Sequence, residues 1–151
     1  MGRTLFLTVA LCVSSSVAFA APTALTIRSG KARVSGDLAR GAPVNLAFAT
    51  KSSVACFPKN HNAFFDGNHV FYTVTIPPQS VLTITAKPRG SSVDVSLYAY
   101  TGGGGKLPPH VSSVVSCEAS YKTNSLSRPN NPGESETVKL VATKNGYSAV
   151  I

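Results

Sequence analysis

From Val70 to the last residue the chain is written in short runs where apolar side chains recur at every second position. Val70, Tyr72, Val74 and Ile76 alternate with Phe71, Thr73 and Thr75, and Leu82, Ile84 and Ala86 alternate with Val81, Thr83 and Thr85. Val93, Val95, Leu97 and Ala99 alternate with Asp94, Ser96, Tyr98 and Tyr100, while Val138, Leu140 and Ala142, then Tyr147, Ala149 and Ile151, continue the series. An earlier run places Val44, Leu46 and Phe48 on one side. Side chains of a strand point alternately to its two faces, so each run describes a strand with one face turned to a core.

The breaks between runs carry turn chemistry. Pro77-Pro78-Gln79-Ser80 ends one strand and begins the next, because proline has no N–H to give a central ladder. Lys87-Pro88-Arg89-Gly90 and Asn145-Gly146 read as two hairpin turns. No 3.6-residue periodicity follows the first twenty residues. Charged residues are only 13% of the chain, with Ser, Thr, Gly, Pro and Asn abundant. An all-β antiparallel sandwich is therefore expected over any helical or α/β architecture.

The amino terminus reads as a cleaved secretory signal. Arg3 supplies the positive start, Leu5 to Val13 an apolar stretch too short to span a bilayer, and Ala18-Phe19-Ala20 a small-residue cleavage site. Leu11 before Cys12 argues against a lipid anchor, and no later segment is apolar enough for a membrane span. Cleavage after Ala20 leaves about 130 residues, enough for one domain. It also removes one positive charge from the formal +8. The expected location is secreted or periplasmic.

Cleavage changes the cysteine arithmetic. Of three cysteines, Cys12 leaves with the signal, and Cys56 and Cys117 remain as an even pair in an oxidising compartment. A Cys56–Cys117 disulfide is the default; two thiols or half of a metal site are the alternatives. Such a bridge would tie a loop of about Lys51 to Asn68 to the strand around Val115 and Cys117. A second long loop runs from about Lys122 to Ser135.

The strands from Val70 to Pro77, Gln79 to Thr85 and Val93 to Tyr100 resemble the bacterial pre-peptidase C-terminal domain. That family shows an aromatic-led strand, a Pro-containing turn, a Thr/aliphatic strand and an Asp-x-x-Leu-Tyr strand. Glu136 to Leu140, Gly146 to Ile151 and the opening Leu38 to Val44 are similar to its remaining segments. The resemblance covers residues 38–151 and implies a jelly-roll-like β-sandwich accessory to secreted enzymes, with residues 21–37 as an N-terminal extension. Residues 1–37 do not read as a peptidase, and the insertion between Lys51 and Asn68 is large. The scattered acids Asp37, Asp66, Asp94, Glu118, Glu134 and Glu136 do not carry over the calcium sites of some relatives.

Few residues point to chemistry. His61, Asp66 and His69 crowd one segment and suggest a metal-dependent enzyme, yet their spacing fits neither His-Glu-x-x-His nor a compact zinc loop. Gly102-Gly103-Gly104-Gly105-Lys106 mimics a phosphate loop but has Tyr100 and Leu107 where Gly and Ser or Thr are required, with Pro108-Pro109 in place of a helix. No Gly-x-Ser-x-Gly elbow occurs. A hydrolase is not expected, nor is a metal, cofactor or nucleic-acid partner.

Two leads remain. Tyr98 and Tyr100 lie on the face opposite Val95 and Leu97, where exposed rings would stack on sugars or a protein partner unless a loop covers them. Lys87 and Arg89 at a turn, with Arg28, Lys31, Arg33, Lys139 and Lys144, would favour a polyanion if they converge and otherwise only aid solubility. The expectation is a non-enzymatic binding or accessory module for a polysaccharide or other extracellular polymer, with Tyr98, Tyr100, Lys87 and Arg89 as its surface. An envelope-associated structural or protein-interaction role is the alternative.

Overall fold

The structure is a computed structural model that describes residues 21–46, 59–111, 114–121 and 131–151. The proposed signal, Cys12, Phe48 and Cys56 lie outside these residues.

The described chain is all-β. Its strands are β1 (Thr23–Ala24), β2 (Ala42–Pro43), β3 (Asn68–His69), β4 (Tyr72–Ile76), β5 (Ser80–Ala86), β6 (Leu97–Thr101), β7 (Ser116–Ser120), β8 (Glu136–Ala142) and β9 (Tyr147–Val150). β1, β4, β9, β6 and β7 form one five-stranded sheet in that order, and β5–β8 and β2–β3 each form a two-stranded ladder. Among the described residues no helix is long and apolar enough to cross a membrane.

The alternation sets the packing. Val74 and Ile76 of β4, Leu97 and Ala99 of β6, and Ala149 of β9 turn one face of the large sheet toward Val138, Leu140 and Ala142 of β8. Leu82, Ile84 and Ala86 of β5 complete that layer, so the β5–β8 pair covers the sheet across an apolar core. β8 shows the pattern most cleanly, every second residue being buried. On its outer face Val81 and Val141 pair across the ladder at 58% and 51% exposure.

The opposite face of the large sheet is also covered. Tyr98 and Tyr100 pack there with Val44, Leu46, Phe65, Phe71, Val111 and Val150. Of the strand expected at Val44 to Phe48 the described part is an irregular cover: Val44 and Leu46 are buried, but only Ala42–Pro43 enters a ladder. The loop between Lys51 and Asn68 is likewise no open loop at its far end, since Lys59–Phe65 forms a 3-10 helix that delivers Phe65 to this layer. With both faces occupied, all five residues of β6 are buried.

Two turns differ from expectation. Lys87 to Gly90 and Asn145-Gly146 are not hairpins, because β5 and β6, and likewise β8 and β9, belong to different sheets. Each is a corner where the chain crosses the core. Past the first, Val93 N–H bonds the Gly90 carbonyl at 3.2 Å, which removes Val93 from the ladder and delays β6 until Leu97. Past the second, a Cβ on Gly146 would come within 2.7 Å of the Ile76 carbonyl oxygen, so only glycine fits where this corner touches the Pro77-Pro78 corner between β4 and β5. The expected strand around Cys117 is present as β7.

The amino-terminal extension is not separate. β1 pairs in parallel with β4, and Leu25 and Ile27 pack on the core between the sheets. A tight reversal follows, where Arg28 and Lys31 exchange backbone hydrogen bonds at 2.9 and 3.0 Å. It turns the chain back as an exposed strap toward Gly41, whose backbone lies against the His69 carbonyl.

Candidate functional site

Antiparallel pairing places the start of one strand beside the finish of its neighbour. Where β4 and β6 begin and β5 and β9 finish, the described residues enclose a cleft of about 510 Å³. Tyr72, Leu97, Ile84 and Ile151 contribute from the strands, and Val34, Gly36 and Leu38 from the strap. Asp66 and His69 enter from the segment after the 3-10 helix, and Lys87 and Asp94 from the first corner. The lining therefore combines an apolar floor with two carboxylates, an imidazole and an ammonium, the mixture of a site for a polar organic ligand.

The four residues expected to form a binding surface separate. Lys87 lines the cleft. Arg89 stands at its margin, where Nη2 donates to Ser35 Oγ at 2.6 Å and fastens the strap to the corner. Tyr98 also borders the cleft but is only 6% exposed, and Tyr100 is 3% exposed. The exposed-ring surface is thus corrected: the cover formed by Val44, Leu46 and Phe65 removes both rings from solvent. The Tyr100 hydroxyl donates to the Lys106 carbonyl at 2.5 Å. Burial raises the pKa of both phenols above the ordinary value, with the neighbouring Tyr100 adding to the shift at Tyr98.

His61, Asp66 and His69 do not converge either. His61 Nδ1 meets the Tyr121 hydroxyl at 2.5 Å, and its ring joins Phe64 and Tyr121 in an aromatic group. Phe64 stacks on Tyr121 with ring centroids 4.6 Å apart. His69 instead lies against Phe71 and Tyr98. Its Nδ1 is 2.9 Å from the Gly67 carbonyl, which can only accept, so Nδ1 carries the proton and Nε2 is the basic nitrogen. Burial lowers the His69 pKa, opposed in part by that backbone bond. Asp66 is exposed. Among the described residues no three His, Cys, Asp or Glu side chains are grouped to hold a metal ion. The three residues expected to form a metal site are thus divided, His61 belonging to the group with Tyr121 and Asp66 and His69 to the cleft.

The glycine run after β6 is a tight turn. Gly102 to Gly105 all have positive φ, between 62° and 83°, a conformation suited to glycine. The run opens no α-helix, and its Lys106 carbonyl anchors Tyr100. Cys117 is half-buried on β7 beside the aromatic layer, and its expected partner Cys56 lies outside the described residues.

Sequence reasoning missed the cleft because its lining comes from segments far apart in the chain. The detectable part of the signal was the pair Lys87 and Asp94 flanking one turn-rich stretch. No family model matches the chain, and neither the curated proteins nor the solved structures hold a match to it.

Proposed function

We propose that the chain is an exported, non-enzymatic binding module with a jelly-roll-like β-sandwich fold, similar in build to the pre-peptidase C-terminal domain. It acts in the periplasm or outside the cell by holding an extracellular polymer in the cleft at the end of its sheets. The observation that carries this reading is the cleft itself, where Lys87, Asp66, Asp94 and His69 surround an apolar floor. Alternating hydroxyls and apolar ring faces of a sugar chain match such a lining, since carboxylates and imidazole exchange hydrogen bonds with hydroxyls while aliphatic groups pack on the ring.

The test is retention of the purified protein on insoluble polysaccharides, with collagen as a protein control. Asp94→Asn and Lys87→Gln, both at exposed positions, should reduce retention without changing the melting temperature. Equal retention of both variants would exclude the cleft as the site.

A second reading, an envelope-associated protein-interaction role, rests on the exposed Val81–Val141 pair. Retention on collagen but not on polysaccharide, abolished by Val81→Thr with Val141→Thr, would favour it.

A further inference from the structure

Lys87 lines the cleft, and three further basic residues, scattered in sequence, neighbour segments that line or border it. Arg89 is bonded to Ser35 across 54 positions, which brings the strap over the Lys87 to Gly90 corner. Val34 and Gly36 line the same cleft as Lys87, and Arg33 directly precedes Val34. At the other end of the strap, Arg40 stands beside Gly41, which lies on the carbonyl of the cleft residue His69. All four cations are exposed. The strap's one acid, Asp37, is engaged with its own backbone, accepting from Ala39 N–H at 3.0 Å. Lys139 and Lys144 stay apart, on the outer face of β8 and in the corner before β9.

We infer that this rim makes the cleft selective for an acidic polysaccharide, whose sugar carboxylate or sulfate groups meet Arg33, Arg40, Lys87 and Arg89 while its hydroxyls enter the cleft. The inference rests on the binding-module reading and adds the class of polymer. Two features separate this ligand from other polyanions. Asp66 and Asp94 line the cleft with Lys87, so a phosphodiester backbone would press charge against carboxylates. An acidic polysaccharide carries hydroxyl donors on every ring beside its anions and offers these to Asp66 and Asp94, as a duplex DNA backbone cannot. The apolar strap residues Val34 and Leu38 line the cleft, which leaves a concave surface where insertion into a bilayer needs a convex one.

The experiment measures binding of the purified exported protein to polygalacturonate, to neutral mannan, to phosphatidylglycerol vesicles and to duplex DNA, at about 50 and 200 mM NaCl. Polygalacturonate should bind best and weaken about tenfold or more across that range, since each ionic contact made adds to the salt dependence. Arg33→Gln with Lys87→Gln should weaken binding by about tenfold and reduce its salt dependence. Lys87→Gln alone gives a smaller loss of the same kind. Equal, salt-insensitive binding of mannan and polygalacturonate overturns the inference and leaves the binding module standing. Preference for vesicles or DNA overturns it as well, and binding to none of the four removes both readings.

Discussion

Ser120 Oγ donates to Glu136 Oε2 at 2.5 Å, and Glu136 is only 1% exposed. The two residues belong to different sheets, Ser120 to β7 and Glu136 to β8, so this contact joins the layers where the apolar core gives out. The same hydroxyl accepts from Thr137 N–H at 3.4 Å. A buried carboxylate that loses a donor retains its full desolvation cost. Ser120→Ala is therefore expected to destabilise by about 1–3 kcal/mol in urea unfolding. A change within error would show that the layers are held without this contact.

His69 gives the fold a pH dependence of known sign. Burial depresses its folded-state pKa below the ordinary 6.5, so the unfolded chain binds a proton more readily. The neutral ring is fully compatible with the fold above 6.5, and stability falls as pH drops from there through the folded-state pKa. Urea midpoints measured from about pH 8 to about pH 5 should decline in the wild type. The decline should be shallower in His69→Gln, and parallel curves would remove His69 as the source.

At the corner before β9, Gly146→Ala forces a methyl group toward the Ile76 carbonyl and Pro78. Neither is the end of a flexible side chain, so the corners must move apart. The expected cost is about 1–3 kcal/mol, read as a lowered melting temperature.

Tyr100 separates packing from hydrogen bonding. Tyr100→Phe keeps the ring and loses only the bond to the Lys106 carbonyl, costing about 0.5–1.5 kcal/mol. Tyr100→Ala empties part of the aromatic layer and costs about 3–5 kcal/mol. Loss of ligand retention in the alanine variant would consequently report unfolding, and the phenylalanine variant should bind as wild type.

The proposed Cys56–Cys117 bridge has a direct chemical test. Denatured, unreduced protein lacking residues 1–20 should show no maleimide-reactive thiol, and reduction should expose two. Loss of the bridge should destabilise by roughly 4 kcal/mol on the loop-entropy scale. Two reactive thiols before reduction would refute the pairing.

The strands were legible because alternation is a local property. Val138, Leu140 and Ala142 fall on one face by spacing alone, and the structure buries all three. Partner choice was not legible. Lys87-Pro88-Arg89-Gly90 has the composition of a hairpin turn, yet a corner between sheets demands the same residues. Tyr98 and Tyr100 were assigned to the correct face, but whether that face is wet depends on Val44, Leu46 and Phe65, more than thirty positions away. The cleft was hidden for the same reason: Ser35 and Arg89 meet only after the strap has folded back.

β9, the last strand in the sequence, lies between β4 and β6 in the middle of the large sheet. Its Val150 faces Thr73 on one side and Tyr100 on the other. Until residues 147–150 are present, β4 and β6 have nothing to bridge them, and β5 likewise waits for β8. Closure of long loops must precede these pairings, which makes folding slow relative to a chain of local hairpins. A polypeptide delivered amino terminus first thus cannot complete its sheet partway through delivery. Losing only those few residues would leave two half-sheets with no seam.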